Sequence, residues 1–86
     1  MNAKKLATIE YNSPCFLDNG RMVINSSDPQ GLRTSEVQKL GFQLELNGEI
    51  TVEVYTRNSI YIVTGVPHNN FLALAKQTKE LQLATA

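Results

Sequence analysis

The chain has 86 residues, eight Lys and Arg against eight Asp and Glu, and a single cysteine. That length makes one domain, over residues 1–86, which buries roughly 60–65% of the surface its unfolded chain exposes and leaves little area for a deep active site. A formal charge of zero exerts no general pull on a duplex, so general duplex DNA binding is a poor first reading, although a local basic patch remains possible. Cys15 alone excludes an intrachain disulfide.

No apolar run approaches the ~20 residues of a spanning helix, and Met1-Asn2-Ala3-Lys4-Lys5-Leu6 has a basic pair without a long apolar stretch. The expectation is therefore a cytoplasmic protein with no membrane partner.

Leu6, Thr8 and Glu10 alternate with Ala7, Ile9 and Tyr11, a strand pattern that Asn12-Ser13-Pro14 interrupts. Asp18-Asn19-Gly20 is a turn signal, and Phe16-Leu17 and Met22-Val23-Ile24 on either side of it suit a hairpin. Asn25–Gly31 reads as a connecting loop. Three further period-2 segments follow: Leu40, Phe42, Leu44 and Leu46; then Ile50, Val52 and Val54; then Ile60 and Ile62.

Parity selects the turns between them. A two-residue turn at Asn47-Gly48 would set Leu44 opposite Thr51 and mix the faces. A three-residue loop Leu46-Asn47-Gly48 sets Leu44 against Ile50, Phe42 against Val52 and Leu40 against Val54, with Gly48 in the left-handed region. By the same argument a loop of Thr56-Arg57-Asn58, with Asn58 left-handed, sets Val54 against Ile60 and Val52 against Ile62. One face of this meander is then aliphatic. The other carries Gln43, Glu45, Thr51, Glu53, Tyr55, Tyr61 and Val63.

Gly65-Val66-Pro67 ends the last strand, and proline suits a helix's first turn. Phe71, Leu74, Ala75, Thr78 and Leu81 keep helical spacing, and Leu83–Ala86 is expected to fray. The fold class is α+β: an antiparallel β-meander plus an N-terminal β-hairpin, with one C-terminal helix on the aliphatic sheet face. A single helix cannot cover both faces. The polar face must meet solvent, the N-terminal segment, a ligand or another copy.

Ser35, Val37, Gly41-Phe42, the strand Thr51-Val52-Glu53-Val54, then Tyr61-Ile62-Val63-Thr64-Gly65-Val66-Pro67, Phe71 and Leu74 form an ordered set. In it the chain resembles the KTSC domain family, found at the C-terminus of some lysyl-tRNA synthetases and free-standing in bacteria and phages. The resemblance covers about residues 35–79, leaving 1–31 as an N-terminal β extension and loop. Val63 stands where the family has the second tyrosine of Tyr-x-Tyr, and Thr78-Lys79-Glu80 where it has Ser-Lys-Gly. The resemblance implies RNA binding.

No catalytic constellation is legible. His68 is the only histidine, read as a solvated residue at the helix start. One Cys and one His cannot fill a zinc site, and no cofactor is expected. Glu45 and Glu53 share the polar face without a spacing that marks an acid/base pair. Asn69-Asn70 suits capping or anion binding at the helix start.

Tyr55 and Tyr61, expected together on the face the helix leaves uncovered, suit base stacking, but core or interface positions under the N-terminal segments or a second subunit are the reading favoured over it. Arg57 at a turn tip, with Arg33 and Lys39 ahead of the first meander strand, could reach phosphates or simply serve solubility. Three function classes follow. One is a non-enzymatic binding protein for RNA or another nucleotide-containing ligand, with Tyr61, Tyr55, Arg57, Glu53, Arg33 and Lys39 as its site. Another is a phage-encoded anti-defence protein that sequesters a small nucleotide signal or blocks a host factor. The third is a structural module forming a homo-oligomer.

Overall fold

A computed structural model describes the backbone of residues 4–85 and the side chains of residues 4–79. The elements run β1 (Lys5–Glu10), β2 (Phe16–Asp18), β3 (Arg21–Ile24), β4 (Leu32–Leu44), β5 (Ile50–Thr56), β6 (Ser59–Val66) and α1 (His68–Thr85). They form a six-stranded sheet in the order β1-β6-β5-β4-β3-β2, with one helix, an α+β fold. The side chain of Leu81, an expected core position, and the terminal residue Ala86 lie outside what is described. The helix continues through Leu83-Ala84-Thr85, where fraying is expected from the sequence.

The sheet is mixed rather than wholly antiparallel, because β1 lies parallel to β6. The meander β4-β5-β6 leaves the outer edge of β6 open. β1 fills it with Ile9 beside Val63 and Ala7 beside Tyr61.

The β2–β3 hairpin turns at Asn19 (φ 53°) and Gly20 (φ 77°). Two successive positive φ values match the strands' right-handed twist, so Asn-Gly is the pair that fits. β4 is longer than the period-2 pattern from Leu40 suggests, with 13 residues. Two bulges bend it: its register against β3 shifts between Arg21 and Val23, and against β5 between Val37 and Lys39. Each bulge breaks the strict alternation, which hides residues 32–39 from a period-2 reading.

The β4–β5 register is the one parity selects: Leu44 opposite Ile50, Phe42 opposite Val52, Leu40 opposite Val54, with Gly48 at φ 87°. The β5–β6 register differs from expectation by one residue. Val54 faces Tyr61, Val52 faces Val63, and Tyr55 faces Ile60. Asn58 is not left-handed; only Asn19 and Asn25 are so among non-glycine residues described.

Thr56 explains the tighter turn. It is buried, and its hydroxyl accepts from the Ser59 N–H (3.1 Å) and donates to the Ser59 carbonyl (3.0 Å). The side chain thereby closes a turn with only Arg57 and Asn58 at its tip. Farther along, Val63 and Val66 are both fully buried although three apart, which alternation forbids. Gly65, at φ 73°, absorbs the extra residue in a bulge opposite Ile50–Val52.

The core comprises Cys15, Met22, Ile24, Ile50, Val52, Val54, Val63, Val66 and Leu74. Each fully buried aliphatic side chain contributes about 1.5–3 kcal/mol by removal from water. The helix starts just after Pro67, whose carbonyl accepts the Phe71 N–H (3.0 Å), and Phe71 meets Phe42 edge-on at 5.0 Å. Its polar positions matter equally. Asn70 accepts from the Cys15 N–H (2.8 Å) and donates to the Cys15 carbonyl (2.7 Å). Gln77 does the same at Leu17, at 2.9 and 3.0 Å. A primary carboxamide has the donor and acceptor layout of a peptide group, so the helix acts as a neighbouring strand for the outer edge of β2.

Candidate functional site

Alternation on β5 buries Ile50, Val52, Val54 and Thr56 and turns Thr51, Glu53 and Tyr55 to the face without the helix. Register adds Lys39 and Gly41 from β4, Ile60 and Ile62 from β6, and Leu6 and Thr8 from β1 to that face. Tyr55 is the aromatic centre of this surface. The Lys39 ammonium lies 4.9 Å from the centre of its ring and that of Lys4 5.8 Å. Lys4 is steadied by donating to the Thr56 carbonyl at 2.8 Å.

The Tyr55 hydroxyl donates to Glu53 Oε1 at 2.9 Å. That hydrogen bond to the carboxylate, then desolvation, then the Glu53 charge hold the Tyr55 phenol above its ordinary pKa. Gly41, directly opposite Glu53, makes room for the pair: a Cβ there would stand 2.9 Å from Glu53 Oε1.

The structure thus brings together Tyr55, Glu53 and Lys39, and adds Lys4. Arg57 is exposed at the β5–β6 turn, one residue beyond Thr56, where it lines a 360 Å³ depression with Ser35, Glu36, Gln38 and Asn58. Two expected members stand elsewhere. Tyr61 pairs with Val54 and packs against the core, on the helix side, because the two-residue turn shifts β6 by one position. Arg33 pairs with Val23 at the far end of β4, and its guanidinium donates to Asp18 at 3.0 Å.

A larger depression, 540 Å³, lies at the opposite end of the sheet, around Glu10, Glu45, Glu49, Thr51 and Gly65. Two of its carboxylates are bonded locally, Glu45 by the Thr51 hydroxyl (3.0 Å) and Glu49 by the Asn47 amide (2.7 Å). Among the described residues no three His, Cys, Asp or Glu side chains converge as a metal site.

His68 is exposed beside Phe71. Cys15 is buried, and desolvation pushes its thiol pKa up despite the Asn25 N–H. Its sulfur bonds are with the Asn25 N–H and the Ser13 carbonyl. At the helix start, Asn69 Oδ1 accepts the Asn70 N–H (2.8 Å).

Lys4 and Gly41 escaped sequence reading as site members. Lys4 reaches Tyr55 only because β1 docks parallel to β6, which no local pattern announces. The signal for Gly41 was available: a strand glycine often marks a close approach by a neighbour. No protein-family model, no curated protein and no solved structure matches this chain.

Proposed function

We propose that the chain is a non-enzymatic binding protein that takes a nucleotide-containing ligand, RNA in the first instance, on the sheet face centred on Tyr55. The observation that carries this reading is the Tyr55 ring with two lysine ammonium groups beside it, Lys39 and Lys4. The magnitudes favour exchange. An exposed cation–π contact contributes about 0.5–1 kcal/mol, whereas a base stacked on an aromatic ring contributes about 1–3 kcal/mol. A base therefore displaces the ammonium groups from the ring, and their flexible stems carry them to the adjoining phosphates. The KTSC resemblance of the sequence supports RNA as the ligand class.

The test is titration of fluorescent single-stranded RNA at several salt concentrations. With Lys4, Lys39 and Arg57 each neutralising one phosphate, log K falls against log salt with a slope of about −2. Tyr55→Ala weakens binding by about 1–3 kcal/mol with an unchanged slope, and Lys39→Ala makes the slope shallower by about 0.7. A melting temperature raised by a mononucleotide or cyclic nucleotide, with no RNA binding, selects a small-nucleotide trap on the same face. Binding undiminished in Tyr55→Ala sinks the proposal.

A further inference from the structure

We propose that the outer edge of β1 pairs antiparallel with β1 of a second copy about a two-fold axis at Ala7, joining two sheets into one. This inference shares Lys4 with the Tyr55 face and otherwise does not depend on what that face binds. The sheet has two edges, and they are treated differently. The β2 edge is closed by the carboxamides of Asn70 and Gln77. The β1 edge has no such cover among the described residues: Lys5 to Thr8 and Glu10 are exposed and only Ile9 is half-buried.

The free hydrogen-bonding groups can be assigned by alternation. Lys5 N–H donates to the Asn58 carbonyl and Tyr11 N–H to the Thr64 carbonyl, so odd-numbered residues of β1 address β6. Leu6 and Thr8 therefore point both backbone groups outward. The Glu10 carbonyl, the next outward group, accepts from the Asn25 side chain and marks where the open ladder ends. β1 contains no proline and pairs with β6 without a register shift, so two of the devices that spoil an edge, proline and the β-bulge, are absent from it.

Charge selects the occupant. The strand has Lys4 and Lys5 at one end and Glu10 at the other. A second copy laid antiparallel brings basic end to acidic end twice, whereas a parallel one brings like to like. In the register centred on Ala7, Leu6 and Thr8 exchange both backbone bonds with Thr8 and Leu6 of the second copy, and Lys4 stands opposite its Glu10. Leu6, 66% exposed, loses apolar surface to the facing threonine. The axis runs perpendicular to the sheet, so both Tyr55 faces look the same way.

Sedimentation equilibrium of the intact chain over a concentration series tests this, with two variants. Thr8→Pro removes an N–H that faces outward and is a substitution edge strands tolerate. It raises the dimer dissociation constant about tenfold or more while circular dichroism and melting of the monomer stay unchanged. Glu10→Lys, which leaves the ladder intact, dissociates the dimer at low salt, and the double variant Lys4→Glu/Glu10→Lys restores it. A chain that stays monomeric to millimolar concentration overturns the inference. So does a dimer that neither variant weakens.

Discussion

Gln77 holds the Leu17 peptide by both of its polar groups, accepting its N–H at 2.9 Å and donating to its carbonyl at 3.0 Å. Asn70, two helical turns earlier, grips Cys15 in the same way but in a buried setting. The difference in burial fixes the expected cost of removing each. Asn70→Ala strands the N–H and carbonyl of Cys15 away from water and lowers stability by about 1–3 kcal/mol. Gln77→Ala lets solvent replace the amide and costs about 0.5–1.5 kcal/mol. Urea unfolding should show the lower midpoint in both, larger for Asn70, with an unchanged slope.

Gly65 sits at φ 73° with only Glu49 Oε2 near its missing Cβ, at 3.5 Å. Space therefore permits alanine there, and backbone conformation resists it. Gly65→Ala destabilises by about 1–2 kcal/mol. Gly41→Ala meets the opposite obstacle: its backbone is unexceptional, and its Cβ would stand 2.9 Å from Glu53 Oε1, the end of a flexible side chain that swings aside at little cost in stability. The expected signature is a broken Tyr55–Glu53 bond, read in the tyrosine titration below.

Glu53 raises the Tyr55 pKa chiefly by accepting its hydroxyl proton. Glu53→Gln removes the charge and weakens that hold, so one tyrosine transition in a 295 nm absorbance titration moves to lower pH. In the native chain the folded state binds this proton more tightly than the unfolded state. The contribution is complete below the ordinary tyrosine pKa and fades as pH rises through the folded value. Identical titrations of native and Glu53→Gln protein would contradict the geometry.

Cys15 follows the same sign. Burial raises its thiol pKa above the ordinary cysteine value, so the folded chain retains the proton and loses that contribution as pH climbs past the folded value. A disulfide reagent at neutral pH should label native protein only at the rate of opening, and denatured protein at once. Cys15→Ala should flatten the alkaline limb of the stability curve.

The sequence is legible where one residue type has a single tolerable place. Asn19-Gly20 announces a hairpin and Gly48 a three-residue loop, and Pro67 marks the helix start, each at the position the structure gives it. Parity failed at β6 because its two faces are nearly equally apolar: Ile60 and Ile62 on one, Tyr61 and Val63 on the other. The deciding features were a Thr56 hydroxyl that closes the turn and a glycine bulge at Gly65 that lets Val63 and Val66 both enter the core. At the candidate site, the sequence supplied Tyr55, Glu53 and Lys39 from adjacent strands of the meander. It could not supply Lys4, whose place depends on a pairing between chain segments more than fifty residues apart.

That pairing, Lys5 beside Ser59 and Glu10 beside Thr64, has a consequence during synthesis. β1 is made before β6, the one strand it pairs with among the described residues, which follows more than fifty residues later. At about 5–20 residues per second it waits several seconds with an apolar side and two bare edges in the company of other nascent chains. The β1–β6 ladder can therefore form only after every other strand of the sheet has been made.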